Sequence, residues 1–326
     1  MKRILPPILL ASASLAGAPA APGGWERLAP LPVGNGGFVV GSVAGQIVVA
    51  GGTTWQGETK LWLDHIWTYD PSHDAWREAG RLPMAVAYPA SGYDGRALWF
   101  AGGSGGGGAH RTLWRLESAG PAVRATPVAR AAVYAVGGVI GGKLYAVGGT
   151  DDQAGIARTT NHLVATNLAT GAVERLADHP EQMVSNAGAA VLGQRLFVFG
   201  GGYWDAARQG VFNHASAHAF SVASGRWERL PPLPHPGRGF SALALDDRRI
   251  LVAGGYRNDA VEFVADAYLF DSATGAYVPT TALPYAGMVG LVPDGEWLYC
   301  LGGEDRKRHR TAAAYRIRWA ELLPRG

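Results

Sequence analysis

Ile47-Val-Val-Ala-Gly51-Gly52 is the stretch on which the fold turns. Four apolar residues closed by a glycine pair read as a buried strand that must then change direction sharply. The pattern returns as Leu98-Trp-Phe-Ala-Gly102-Gly103, Leu144-Tyr-Ala-Val-Gly148-Gly149 and Leu196-Phe-Val-Phe-Gly200-Gly201. Two more copies are Ile250-Leu-Val-Ala-Gly254-Gly255 and Leu298-Tyr-Cys-Leu-Gly302-Gly303. Successive copies lie 46 to 54 residues apart. Six units of about fifty residues occupy the chain from residue 21 to residue 326 and leave no room for a second domain.

Each unit carries further marks. An alternating strand ends near Tyr69-Asp70, Leu116, Leu168, Phe220 or Phe270-Asp271, and a turn such as Asp70-Pro71-Ser72 or Ser224-Gly225 follows. An aromatic or apolar residue then opens another strand, at Trp76, Val173, Trp227 and Tyr277, and several units close on Leu-Pro, as at Leu82-Pro83, Leu233-Pro234 and Leu283-Pro284. Four short strands with a doubled glycine at this period resemble the kelch repeat. That resemblance implies an all-β, six-bladed kelch-type β-propeller. Trp25-Glu-Arg-Leu near the start matches Trp227-Glu-Arg-Leu, an outer fourth strand, while the last unit has three clear strands. The N-terminal strand is therefore expected to complete the sixth blade and close the ring. Trp319–Leu322 is the rival for that place.

Composition narrows the function. Charged residues make up 17% and apolar residues 48% of the chain, which excludes a disordered segment. The net charge of +3 comes without a basic block, so a nucleic-acid surface is not expected. A single cysteine, Cys300, excludes an intrachain disulfide and any zinc site built on several thiolates; its place inside a second strand predicts a buried free thiol. At the N-terminus, Lys2 and Arg3 precede the mainly apolar Ile4–Leu15 and the small-residue triplet Ala18-Pro19-Ala20. Residues 1–20 read as a secretory signal peptide, which implies a periplasmic or secreted protein with no membrane span after cleavage. The mature propeller would be residues 21–326.

In such a ring the loops after each glycine pair and after each Leu-Pro open on one face. The post-glycine loops, at 53–64, 104–110, 150–161, 202–215, 256–265 and 304–311, carry aromatic residues interspersed with charges. Lys60, Trp62, Tyr88 and Arg257 are the candidate substrate-binding residues, a set suited to a sugar or another polar small molecule. The glycine pairs themselves are not read as phosphate loops, because no helix follows them.

The first unit, Ala50-Gly-Gly-Thr-Thr-Trp-Gln-Gly-Glu-Thr-Lys60-Leu-Trp-Leu-Asp64, running on to Gly80-Arg-Leu-Pro83 and Ala87-Tyr88, is similar to the bacterial N-acetylneuraminate epimerases, or sialic acid mutarotases. The closer likeness is to their cyclically permuted relatives. It extends over the mature chain once blade order is rotated. The family's catalytic pair is a glutamate directly after a blade's glycine pair and an arginine six residues later. Under the rotation these fall on Glu304 and Arg310, with Thr311 also agreeing. The sequence departs from the pattern at Val86, where the family often has arginine, and in the short loop 256–265.

The resemblance implies a mutarotase acting on an acidic sugar without metal or other cofactor. A carboxylate such as Glu304 can exchange protons with the anomeric hydroxyl, and an arginine such as Arg310 can hold a sugar carboxylate. The proton for the ring oxygen could come from Glu304 itself, His309 or water. The alternative is a noncatalytic propeller that binds glycans or proteins. A radical copper oxidase on the same fold would need a reactive cysteine, and Cys300 is placed for the core instead.

Overall fold

The computed structural model describes residues 24–117 and 123–323; the segment read as a signal peptide, 1–20, lies outside them. The first blade has strands Val39–Val43, Gln46–Ala50, His65–Asp70 and Ala75–Arg81, paired antiparallel in that order from the axis outward. Residues 87–127, 136–175, 188–230 and 241–279 repeat this four-stranded meander. The sixth blade has Met288–Asp294, Trp297–Glu304 and Ala314–Arg318, and its outer strand is Glu26–Arg27 from the other end of the chain. Glu26 pairs with Arg316 and Arg27 with Tyr315, and the Leu28 N–H donates to the Ala314 carbonyl at 2.9 Å. Trp319–Leu322 is a 3-10 turn rather than a strand. The innermost strands touch one another around a closed circle, the last against the first. No helix among the described residues is long and apolar enough to cross a membrane.

Alternation builds the core. The second strand of each blade is apolar on both faces because each face meets another blade, and Ile47, Val48, Val49 and Ala50 are all fully buried. Six separate apolar clusters result, one per interface. Val48, Ala50, Leu98 and Phe100 join the first two blades, and Ile47, Val49, Tyr299 and Leu301 join the sixth to the first. Cys300 is free and buried in the interface between blades five and six, where burial pushes its thiol up to about 12.

The glycine pair is the interlock between blades. In all six copies the second glycine donates its N–H to a carbonyl of the following blade: Gly52 to Val86, Gly103 to Ala132, Gly149 to Val184, Gly201 to Gly237, Gly255 to Gly287 and Gly303 to Asn35, at 2.6–2.9 Å. The first glycine has positive φ and is pressed onto the same carbonyl: a Cβ at Gly148 would lie 2.0 Å from the Val184 oxygen. No side chain fits there, and only glycine holds that backbone without strain. A second latch lies at the rim. The indole N–H of Trp25 donates to the Ala282 carbonyl, that of Trp76 to Ala29 and that of Trp227 to Ala177, each tying an outer strand to the preceding blade. The Tyr277 hydroxyl does the same to Pro231.

Two stability predictions follow. Trp25 is 3% exposed and closes the ring, so Trp25→Ala should cost about 3–5 kcal/mol in urea unfolding, the scale for a buried aromatic; a loss below about 1 kcal/mol would show that the closing strand is dispensable. The second concerns His179, buried against the rings of His218 and Trp227, each 4.7 Å away. Burial, reinforced by the His218 and His214 charges, pushes His179 down to about 3. An unfolded histidine titrates near 6.5 and binds its proton first, so this stability is complete above about pH 6.5 and is lost as pH falls toward 3. Urea midpoints should drop through that window, with a slope of roughly 1.4 kcal/mol per pH unit from this group. His179→Asn keeps an acceptor for the Glu181 N–H and should flatten the slope.

Candidate functional site

Along the ring axis runs a channel of about 1040 Å³, lined by the innermost strands of all six blades. Its upper mouth is formed where the chain enters those strands. Gly37, Tyr88, Tyr134, Asn186 and Gly239 occupy equivalent positions in blades one to five, all with φ between 49° and 70°. From Tyr88 onward each N–H donates to the carbonyl of its counterpart one blade back: Tyr88 to Gly37 at 2.7 Å, Tyr134 to Tyr88 and Asn186 to Tyr134 at 3.0 Å, and Gly239 to Asn186 at 2.5 Å. The arc breaks at the sixth blade. There neither Met288 nor Val289 has a left-handed φ, and the strand bulges between Met288 and Gly290.

Glu304 ends a second strand at this break, and Arg310 ends the loop that follows. Their side chains meet in an ion pair with Nη1 2.9 Å from Oε2; the arginine side chain is 5% exposed and the glutamate 23%. Both line the channel. Arg310 donates from Nε to the Thr53 hydroxyl at 3.2 Å, from Nη1 to the His309 carbonyl at 3.2 Å, and from Nη2 to the Tyr88 hydroxyl at 3.1 Å. With Glu304, four of its five N–H groups are used within the protein. That differs from the sequence expectation of an arginine open to grip a carboxylate with two parallel bonds. Arg310 instead ties Glu304 to Tyr88.

Glycines make room for this arginine. A Cβ at Gly36 would lie 2.5 Å from Arg310 Cδ, and one at Gly34 would lie 2.1 Å from the Arg310 carbonyl oxygen. The loop is held from both sides by exposed ion pairs. Lys307 reaches Asp259 and Glu262 of blade five, each at 3.2 Å, and Arg308 reaches Glu58 of blade one at 2.5 Å.

Residues 53–62 form a hairpin, Thr53–Gln56 against Thr59–Trp62, that leans over the mouth. It carries Lys60, whose ammonium lies 4.7 Å from the Tyr88 ring centre and 5.4 Å from that of Trp62. Trp62 crosses the short loop of blade two: a Cβ at Gly106 would touch its ring at 3.3 Å, and its indole N–H reaches Gln153 of blade three at 3.2 Å. Gly106 thus clears a path for the tryptophan. Glu304, Arg310, Tyr88 and Lys60 converge, with Trp62 beside Lys60. Arg257 does not join them, because its guanidinium is paired with Asp266 at 2.7 Å.

Electrostatics separate two neighbouring tyrosines whose rings lie 4.8 Å apart. Burial alone would raise the Tyr88 phenol, yet the Arg310 and Lys60 charges outweigh it and hold its pKa below the ordinary value. For Tyr134 burial is the main cause and outweighs the lowering effect of the Arg310 charge, so its pKa is pushed up.

Sequence reasoning missed Arg238, which directly precedes the left-handed residue of blade five. Its guanidinium stacks 4.3 Å from the Tyr256 ring centre and donates to Asn213 Oδ1 at 2.9 Å. Among the described residues no carboxylate lies within 4 Å of it, although the charges of Asp259 and Glu304 are near enough to act on it. Thr53 was also missed. The signal available for both was their register, one step from the mouth in their units. Among the described residues no group of three or more His, Cys, Asp or Glu side chains is gathered as a metal-ligand set.

The model of the Kelch motif matches residues 35–83 and 183–234, which are the first and fourth blades with their lead-in loops. The chain is a kelch-type six-bladed propeller. Of the curated proteins compared, none matches it.

The tight seat of Arg310 in this kelch propeller gives a test. Gly36→Ala places a methyl against a side chain with no room to retreat, and should cost about 1–3 kcal/mol by overpacking. Calorimetry should show a lowered Tm; an unchanged Tm would mean that the arginine moves freely.

Proposed function

We propose that this propeller accelerates the interconversion of anomers of N-acetylneuraminate or a related acidic sugar at the upper channel mouth, without a cofactor. The observation that carries the reading is the Glu304–Arg310 pair, set at the one break in the arc and facing the channel. Anomer exchange needs a proton taken from the anomeric hydroxyl, a proton delivered to the ring oxygen, rotation of the opened carbonyl, and reclosure. Glu304 supplies the basic oxygen, and a site partly withdrawn from water favours such proton transfers. Arg310 is a positioning residue in this scheme, since its donors are committed to the protein.

Capture of the sugar carboxylate falls to cations with donors to spare. Arg238 and Lys60 flank the mouth from blade five and blade one, and neither is ion-paired among the described residues. Arg238 is pre-oriented by its stack on Tyr256, which suits a planar carboxylate.

The test is NMR of anomer exchange at a pH where the spontaneous reaction is slow, with N-acetylneuraminate and neutral sugars as substrates. Glu304→Gln keeps the shape and removes the basic oxygen, so acceleration should fall roughly 10²-fold or more. Arg238→Ala should raise KM for acidic sugars by about tenfold, the worth of one charged hydrogen bond, and leave neutral sugars unaffected. If the wild-type protein binds an acidic sugar without accelerating exchange, the noncatalytic glycan-binding reading replaces this one.

A further inference from the structure

We propose that Tyr88 is the second proton-transfer group of the site, giving its hydroxyl proton to the sugar ring oxygen as Glu304 takes one from the anomeric hydroxyl. The proposal rests on the mutarotase reading and adds the acid that the reading requires.

The geometry starts from Arg310. One guanidinium holds the Glu304 carboxylate through Nη1 at 2.9 Å and the Tyr88 hydroxyl through Nη2 at 3.1 Å. A base and an acid are thereby fixed side by side, and both line the channel. Ring opening needs two such groups close together, because the anomeric oxygen and the ring oxygen are bonded to the same carbon.

Hydrogen bonding assigns the protons. The Thr53 hydroxyl lies 3.1 Å from the Gly36 carbonyl, which can only accept, so the threonine proton points there. Thr53 Oγ1 accepts from Arg310 Nε, and its 3.1 Å contact with Tyr88 must then carry the tyrosine proton. The Tyr88 oxygen accepts from Arg310. Before reaction Tyr88 is therefore a neutral phenol whose proton is shared with a weak acceptor and free to swing to a better one. Once the proton leaves, the phenolate faces the charges of Arg310 and Lys60, and the Thr53 proton can turn from Gly36 to it.

Charged and titratable groups surround Tyr88 from several elements. Lys60 reaches over the ring from the hairpin, Arg310 comes from blade six, and Tyr134 packs alongside with its own pKa raised. His309, the other side chain considered from sequence, is turned to Asp305 at 2.5 Å. The left-handed φ of 59° that Tyr88 shares with its counterparts in the arc fixes its backbone at the mouth. Its ring fills the place where Gly37 has no side chain: a Cβ there would lie 2.2 Å from it.

The step balances. Glu304 takes the anomeric proton, the anomeric C–O bond becomes C=O, and the ring C–O pair leaves with the ring oxygen, which receives the Tyr88 proton. The carbonyl rotates. Tyr88 phenolate then recovers the proton from that hydroxyl as it attacks, and Glu304 returns its own to the carbonyl oxygen.

The experiment compares wild type, Tyr88→Phe and Lys60→Met by the same NMR exchange assay across pH, with the background subtracted. Tyr88→Phe keeps the ring and removes the oxygen; it should cut kcat roughly 10²-fold with little change in KM. Wild-type activity should fall on the alkaline side as Tyr88 loses its proton. Lys60 sits on the exposed hairpin, so Lys60→Met leaves the core intact, and it should move that alkaline limb up by about 1 pH unit. The ultraviolet phenolate band, wild type minus Tyr88→Phe, should show one of the twelve tyrosines titrating below the ordinary value near 10. An active wild type with full activity in Tyr88→Phe, or an alkaline limb unmoved in Lys60→Met, overturns the role of Tyr88 while the mutarotase reading stands. A wild type that accelerates no acidic sugar overturns both, and the phenolate titration then reports only on the electrostatics.

Discussion

Six hydrogen bonds, one from each glycine pair to the next blade, set the dimensions of the molecule. Each requires the backbone of one blade to approach a carbonyl of its neighbour more closely than any side chain allows. Because the same bond recurs at every interface, the blades stand at a common spacing around the axis, and the sixth bond, Gly303 to Asn35, returns the chain to its start. The apolar second strands and the rim tryptophans then fill and latch a geometry already fixed near the axis. A blade alone would have two apolar faces and nothing to cover them, so closure is a condition of stability rather than an embellishment.

The upper mouth of the channel departs from that regularity. Five blades present a left-handed residue to the axis and link their backbones into an arc, while the sixth has none at Met288 or Val289 and bulges between Met288 and Gly290. The neighbours adapt to this one change. Blade one has glycine at 34, 36 and 37, which clears space for the Arg310 backbone, the Arg310 side chain and the Tyr88 ring respectively. Ion pairs from Lys307 and Arg308 to both adjacent blades hold the loop in register. Rigid strands thus place Glu304 and Tyr88, and the loops between them adjust the contacts.

The repeat, the blade count and the ring closure were legible because each is written several times. A doubled glycine at a constant spacing and a repeated Trp-Glu-Arg-Leu state a geometric rule, and local pattern suffices to read it. Glu304 and Arg310 were reached through family likeness, and the structure sets them together. What the sequence did not contain was how Arg310 spends its donors. Thr53, Tyr88 and Glu304 come from three blades, up to 257 positions away from Arg310, and only the folded ring brings them to one guanidinium. Arg257 and Arg238 make the same point in reverse. Both are arginines in blade five near the mouth, but Asp266 neutralises the first and Tyr256 merely stacks on the second.

The energetic cost of the pair bears on why it is there. Withdrawing Arg310 from water is unfavourable, and the attraction of Glu304, Tyr88 and Thr53 has to offset that loss before anything is gained. Well-packed apolar side chains at these positions would hold the blades together at least as well. The surrounding interfaces show as much, since their inner strands are filled by valine, leucine and phenylalanine. Nor does the pair close the ring, which the glycine bond to Asn35 already does. A buried cation joined to a partly exposed carboxylate is therefore not accounted for by blade packing alone. Its distinguishing property is to hold a basic oxygen and a phenol in fixed positions at the mouth of an open channel.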